Sequence, residues 1–424
     1  MARFLIEGGT PLMGEVRVSG SKNAALPILA AALLTEEPCV IHNVPDIADV
    51  RVMMDIARDL GAELTFENNT VRMHTPSIAT HEIDKEKAKM LRAGLMYSAP
   101  LLARAGEVKI PFPGGCNIGK RPIDAILNSL TDLGAQVHRA DELVHLSLRD
   151  WQPASTRIEA LSVIGTEIAL MAAAAADGKS EIRLAASEPH VQDLCAVLQK
   201  MGATIEGVGG NILSVTGTKK LRGFEHTVTS DYIELGTFVI ASLVTKGHVK
   251  ITHCDPTHLD MFWHWLDVMG ARYEVGKDYV EVFPTEHLGH VKRVRSGVYP
   301  DFPTDLLAPM AVLLTQAEGI NRIFETIYEA RLNYIIELEK MGVKAEILNA
   351  HEAIIVGPAH LKGAPVASWD LRAGCAMVLA GLAAEGTTEV SQIVYIDRGY
   401  EAFDEKLRAL GAKITRAPEL HEMS

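Results

Sequence analysis

At 424 residues the chain is long enough for two or three domains, and its 48% hydrophobic and 22% charged residues are those of a globular enzyme. A net charge of −13 argues against a nucleic-acid or anionic-membrane partner, so an anionic substrate would need a local cluster of cations. Five cysteines without CxxC spacing and sixteen histidines without an HExxH pattern argue for a reducing compartment and against a disulfide frame or zinc site.

The opening residues show no charged segment followed by an apolar one, so no signal peptide is expected. The longest apolar runs, near Ala24–Leu34 and Ile168–Ala176, are about 10 residues, against the ~20 that a membrane span needs. The expected location is the cytoplasm, with no metal, no cofactor and no obligate protein partner.

The first twenty residues read as two strands, RFLIEG and EVRVSG. They have no hairpin of their own. Either they cap the first lobe or they cross to complete the last one. Next comes an apolar helix, AALPILAAALL, then a strand, CVIHNV, and an amphipathic helix ending in Leu60-Gly61-Ala62. Two short alternating segments, AELTF and TVRMHT, read as a hairpin.

The Leu/Met-Gly-Ala/Val ending then recurs. Its glycines are Gly61, Gly134, Gly202, Gly270, Gly342 and Gly411, separated by 73, 68, 68, 72 and 69 residues. A period this regular means six copies of one unit: helix, strand, helix, strand, strand. The second helix of repeat two shows its stripe at Ile123, Ile126, Leu127 and Leu130, and that of repeat six at Tyr400, Phe403, Leu407 and Leu410. Each glycine is a helix stop, since it takes the left-handed cap without a Cβ clash. Such units imply an α/β (α+β) fold of mixed sheets, with six repeats grouped as two lobes of three.

Where one copy departs from the others, function is expected. The turn between the middle strand and second helix of repeat two, PFPGGCNIGKRPID, is the longest of the six. It holds Cys116 between Gly115 and Asn117, just before Lys120 and Arg121. Two cations and a helix N-terminus would lower a thiol pKa and equip it for proton transfer or covalent chemistry. Gly114 to Lys120 also fits GxxxxGK, but Arg121 stands where a phosphate loop needs Ser or Thr, and Pro122 removes a donor.

The first helices begin with polar residues. Ser21-Lys22-Asn23 opens the first, Arg92 the second, Asp231 and Glu234 the fourth, Asp305 the fifth and Asp370-Leu371-Arg372 the sixth. Ser21 and the acids are natural caps. A cation there opposes the helix dipole and needs another reason, such as an anion bound at the same end. Lys22, Arg92, Arg121, Arg331, Arg372 and Arg398 are all read as helix-start cations, facing a cleft shared by the two lobes.

The segments SGSKNAALPILAAALL, PGGCNIGKRPID, DFPTDL, WDLRAG and YIDRGYE resemble, in order along nearly the whole chain, the UDP-N-acetylglucosamine enolpyruvyl transferase family. The resemblance implies two inverse α/β barrel-like lobes of three repeats each, 22–229 and 1–21 with 230–424, closing on substrate. It implies transfer of the enolpyruvyl group of phosphoenolpyruvate to the 3-hydroxyl of UDP-N-acetylglucosamine, the first committed step of peptidoglycan synthesis. Cys116 matches the family's proton donor, which also forms a thioketal adduct, and Asp305 matches the acid near the sugar hydroxyl. Lys22, Arg121 and Arg398 match residues around phosphoenolpyruvate. Asn23, Arg92, the run Arg121, Pro122, Ile123, Asp124 and Ala125, then Asp305 and Ile327, match positions that hold the nucleotide sugar. Glu329, Arg331, Asp370 and Arg372 match further polar residues of the cleft.

One segment departs from the family pattern. Ala160-Leu161-Ser162-Val163-Ile164-Gly165-Thr166 carries an additional residue and lacks the lysine that often precedes the family's Ser-Val-Gly-Ala. Ala125-Ile126 also stands where many members have Leu-His. Both changes fall at the nucleotide end. Two other readings therefore stay open: the same transfer to a different acceptor, and a non-catalytic paralogue that binds nucleotide sugar.

Overall fold

All six repeat glycines adopt positive φ, from +72° at Gly270 to +118° at Gly202. Each is followed by an Ala or Val whose N–H donates to the carbonyl five residues back. The pairs are Ala62–Ala57, Ala135–Leu130, Ala203–Leu198, Ala271–Leu266, Val343–Leu338 and Ala412–Leu407. This bond satisfies an orphan carbonyl of the last helical turn, and the apolar residue after glycine packs back on the helix. The repeated signature is thus six copies of one helix stop.

The structure is a computed structural model that describes residues 2–111, 123–139, 143–159 and 162–418. Repeat one runs as helix Lys22–Ala31, strand Cys39–His42, helix Ala48–Asp59 and the hairpin Glu63–Glu67 with Thr70–His74. Repeats two to five keep this order. In repeat two the first helix is broken into Lys85–Met90, the 3₁₀ turn Arg92–Tyr97 and Ser98–Ala105, because Leu91 between them is extended.

Apart from the charged segment Lys85–Met90, where only Ala88 is buried, the first helices are largely apolar all round and are buried accordingly. Every residue of Tyr232–Val244 is buried, as is every residue of Leu307–Leu314. Helices Tyr232–Val244, Leu307–Leu314 and Leu371–Ala383 pack on one another to form one core. Lys22–Ala31, Ser98–Ala105 and Val163–Ala175 lie in the other. Two compact domains result: Gly20–Gly115 with Arg121–Thr229, and Met1–Ser19 with Ser230–Ser424.

In each four-stranded sheet the middle strand pairs antiparallel with the second hairpin strand and parallel with an edge strand. Among the described residues, repeat six has no second hairpin strand of its own. The strand Ala2–Glu7 fills that place, antiparallel to Thr387–Ser391 and to Lys413–Pro418, with Phe4 opposite both Val390 and Arg416. The next strand, Met13–Arg17, runs parallel to His248–Thr252 as the edge of the repeat-four sheet. Glu225–Thr227, which precedes repeat four, instead edges the repeat-one sheet beside Cys39–His42. The two connecting strands are therefore exchanged, and the opening residues complete the last repeat.

Buried charge fixes the chain where it passes between domains. Ser19 donates its N–H to Glu234 Oε2 at 2.9 Å, and Lys406 Nζ reaches Glu234 Oε1 at 2.5 Å and Ser19 Oγ at 2.6 Å. On the other passage, Thr229 N–H donates to Asp193 Oδ2 at 3.0 Å, and Asp193 Oδ1 pairs with His226 Nε2 at 2.8 Å.

Candidate active site

Asp305 sits in the 3₁₀ turn Thr304–Leu306 that opens the first helix of repeat five. Two arginines grip its carboxylate, Arg331 from the same repeat and Arg372 from repeat six. Arg331 Nη2 donates to Oδ1 at 2.7 Å. Arg372 donates to Oδ2 through Nε at 3.1 Å and Nη2 at 2.9 Å. The arginine side chains are 5% and 3% exposed, whereas that of Asp305 keeps 26%. The pair is dry on the cationic side and open on the carboxylate side.

Each guanidinium is held from behind. Arg331 comes from the turn before helix Tyr334–Lys340, lies over the Tyr328 ring at 5.2 Å and donates Nη1 to Thr304 Oγ1 at 2.7 Å. Thr304 in turn donates to Glu325 Oε2 at 2.6 Å. The other Glu325 oxygen accepts from Ser296 Oγ and the Ile327 N–H. Arg372 is the second residue of helix Leu371–Ala383, and its guanidinium lies over the Tyr400 ring at 5.2 Å. Asp370 caps this helix, accepting from the N–H groups of Arg372 and Ala373 at 2.7 and 3.0 Å.

Burial alone would raise the Asp305 pKa. The charges of Arg372 and then Arg331 outweigh it and hold the carboxyl well below the usual carboxylate range. The group is therefore ionised at any working pH. It accepts a hydrogen bond from a hydroxyl readily, and takes a full proton only as the clamp loosens or the hydroxyl becomes acidic.

In the other domain Lys22 is the first residue of helix Lys22–Ala31, after the cap Ser21, whose hydroxyl accepts from the Ala24 N–H. Lys22 Nζ pairs with Asp49 Oδ2 at 2.8 Å, and both side chains are largely buried. Asp49 lies in the first turn of helix Ala48–Asp59, where a carboxylate also complements the helix dipole. Asn23 follows Lys22 in the same first turn and is half-buried. Arg92 starts the 3₁₀ turn of repeat two. Asp124 opens helix Asp124–Asp132 and accepts from Arg139 Nη2 at 2.6 Å, which lowers its pKa; Ile123 precedes it and Ala125 is buried. Cys116, Arg121 and Pro122 lie outside the described residues, as do Ala160 and Leu161 of the altered segment.

Three expectations are corrected in detail. Arg398 is not at a helix start. It closes the four-residue helix Val394–Asp397, because Gly399 follows and the next helix begins only at Phe403. Arg331 precedes its helix by three residues. Lys22, Arg331 and Arg372 are already ion-paired within the protein, so an anion is not needed to explain them. Ile327 and Glu329 lie exposed on the turn that leads to Arg331. Asp49, Thr304, Glu325, Tyr328 and Tyr400 were not singled out as site residues. Asp49 had a sequence signal, an acid in the first turn of a second helix facing a lysine in need of a partner. The others are recognisable only in three dimensions.

Among the described residues, no helix is long and apolar enough to cross a membrane. The two-domain α/β fold of six repeats is that of the enolpyruvyl transferases. The sequence model for EPSP synthase (3-phosphoshikimate 1-carboxyvinyltransferase) matches residues 6–407. The UDP-N-acetylglucosamine 1-carboxyvinyltransferase of Methylacidiphilum infernorum is 42% identical, over 98% of this chain and 99% of its own. The enzyme of the same name from Koribacter versatilis is 41% identical over 99% and 98%. Among solved structures, the enolpyruvyl transferase NikO from Streptomyces tendae aligns with a TM-score of 0.88 at 26% identity, covering 98% of this chain and 99% of that one. The chain belongs to the UDP-N-acetylglucosamine 1-carboxyvinyltransferase family, whose members are transferases.

Proposed function

We propose that the chain transfers the enolpyruvyl group of phosphoenolpyruvate to the 3-hydroxyl of UDP-N-acetylglucosamine, releasing phosphate, as the first committed step of peptidoglycan synthesis in the cytoplasm. The observation that carries this reading is full-length similarity, at 42% identity, to an enzyme named for that reaction. The Asp305 clamp supports it chemically. The sugar oxygen bonds to the central carbon of phosphoenolpyruvate while the methylene carbon takes a proton. Loss of that carbon's proton and of phosphate from the tetrahedral adduct then restores the double bond.

In this reading Cys116 delivers the proton to the methylene and Asp305 accepts the one from the sugar hydroxyl. A positioned acid or base contributes about 10²–10⁴-fold each. Lys22, Arg121 and Arg398 neutralise the phosphate and carboxylate of phosphoenolpyruvate, arginine through bidentate contact. Asn23, Arg92, Arg121, Pro122, Ile123, Asp124, Ala125 and Ile327 hold the nucleotide sugar. Arg331 and Arg372 keep Asp305 ionised and aimed, Asp370 fixes the helix start that carries Arg372, and Glu329 is a further polar residue of the site.

The changes at Ala160–Thr166 favour one second reading, the same transfer to a different acceptor. Phosphate release from phosphoenolpyruvate, measured with UDP-N-acetylglucosamine and with other hydroxyl acceptors, separates the two. Release with UDP-N-acetylglucosamine, and a product heavier by the enolpyruvyl group, is the expected result. No release with it overturns the first reading, and binding without release from any acceptor would mark a non-catalytic paralogue.

A further inference from the structure

The clamp on Asp305 backs onto an aromatic residue outside the set expected to bind substrate, Tyr400. Tyr400 is 3% exposed, and the Arg372 guanidinium lies over its ring with Cζ 5.2 Å from the centroid. The ring is itself immobilised. Its hydroxyl is 3.0 Å from Thr237 Oγ1. Thr237 donates its own proton to the Ile233 carbonyl at 2.8 Å, so it accepts from the tyrosine. The Cys375 thiol, one helical turn beyond Arg372, lies beside the Tyr400 hydroxyl. Phe403 packs on the ring at a centroid distance of 4.8 Å.

Arg372 uses Nε and Nη2 on one carboxylate oxygen, which constrains the plane of its guanidinium. An arginine alone has the rotamer freedom to leave that plane. A fixed aromatic face, desolvated on the far side, removes the freedom. We propose that Tyr400 is a positioning residue for the acid–base step, its ring setting the plane from which Arg372 holds the Asp305 carboxylate. The proposal rests on the enolpyruvyl-transfer reading for its consequence in turnover, though not for the geometry. It also ties two parts of the site together, since Tyr400 lies two residues after Arg398 on one turn. That turn is packed tightly: a Cβ on Gly399 would come within 2.5 Å of the Leu371 side chain.

The charged groups around the clamp, among the described residues, are Arg331 and Arg372 themselves, Asp370 and Glu325 facing Arg331, and Asp231 facing Arg372. Replacing Tyr400 leaves all of them in place, so a change at Arg372 reports the loss of the shelf. The test is the Arg372 Nε–Hε signal in ¹H–¹⁵N NMR of the ligand-free protein, assigned with R372K, alongside kcat and KM at neutral pH. Y400L is expected to displace that signal and to lower kcat by about 30-fold, the scale of a desolvated cation–π contact, with KM little changed. Y400F keeps the ring and is expected to keep the wild-type signal. An unmoved signal in Y400L, or a Y400F signal displaced as far as that of Y400L, overturns the proposal. Should Y400L not be recovered folded, Y400M is judged by the same signal and the same two outcomes. The NMR measurement needs no turnover, so a wild-type chain that releases no phosphate sinks the functional reading without touching this one.

Discussion

Arg372 donates two N–H groups to a single oxygen of Asp305, at 3.1 and 2.9 Å, leaving the other oxygen to Arg331. The carboxylate is therefore held by its two ends, and its depressed pKa is a property of the clamp rather than of the residue. This separates two consequences, one for stability and one for chemistry.

For stability, the sign follows from the depressed folded value. An acid whose folded pKa lies below its unfolded value contributes stability above about pH 4, and loses it as pH falls toward the folded value. Denaturant titrations of the wild type should thus show stability falling progressively as pH drops below about 4. D305N, lacking the titrating group, should lose less over the same window. At pH 7 it should be less stable by about 3–5 kcal/mol, since it leaves two buried guanidiniums without an anion. Its kcat should fall by about 10²–10⁴-fold. Parallel pH curves for the two proteins would show that the clamp does not set acid stability.

Lys406 and Glu234 form a second buried pair, at the passage from Ser19. Burial is the largest influence on Glu234 and raises its pKa, while Lys406 pulls the other way. Removing only the lysine strands a charge with side-chain exposure of 4%. K406M should cost about 3–5 kcal/mol, and adding E234Q should recover much of it, because an isosteric neutral amide needs no counter-charge. The four proteins form a double-mutant cycle. Additive losses would mean the pair is uncoupled.

The repeat architecture was legible because it is local. Each Gly-Ala or Gly-Val stop is a few residues long and recurs, so the period survives in the sequence. The buried first helices were legible from composition, since Tyr232–Val244 has no polar face to hide. The destination of Ala2–Glu7 was not, because pairing with strands almost 400 residues away leaves no local trace. Within the site, Asp305, Arg331 and Arg372 were recognisable as motif residues. Their mutual contact was not, since each ends a different segment. Lys22, Arg331 and Arg372, expected to be open for an anion, are paired inside the protein, which the dipole argument by itself could not foresee.

Four cysteines are buried, and burial pushes their thiols up, to about 11 for Cys39 and about 12 for Cys195, Cys254 and Cys375. A thiol this basic is almost never a thiolate near neutrality and alkylates slowly. Iodoacetamide at pH 7.5 followed by peptide mass mapping should therefore label Cys116 well before the other four. Phosphoenolpyruvate with the sugar nucleotide should block that labelling. Early labelling of Cys375 or Cys195 in the native protein would contradict their burial.

Leu184 follows the middle strand of repeat three with φ +55°, where repeats one, four and six have Asn43, His253 and Gln392 at +56° to +58°. A short polar side chain tolerates that conformation and leucine does not, at a cost of about 1–2 kcal/mol. Leu184 is also 47% exposed, so little packing repays the strain. L184N should raise the denaturation midpoint, by about 0.5–1 kcal/mol in free energy. A destabilised L184N would mean that the side chain packs more usefully than its exposure implies.

Glu167 gives the remaining pH dependence. It is 1% exposed on helix Val163–Ala175, and neither carboxylate oxygen has a hydrogen-bond partner among the described residues. Burial, and then the nearby Glu188 charge, raise its pKa well above the ordinary value. The folded state therefore keeps the proton that the unfolded state releases above about pH 4.3. For such a group stability is complete below the unfolded pKa and declines as pH rises toward the folded one. E167Q holds the neutral form permanently. At pH 5 it should lie close to wild type, and at pH 8 it should be the more stable of the two. The direction is opposite to that of Asp305, so D305N and E167Q should flatten opposite ends of one stability curve. A constant difference between E167Q and wild type from pH 5 to 8 would mean that Glu167 is ionised in the fold and finds its counter-charge elsewhere.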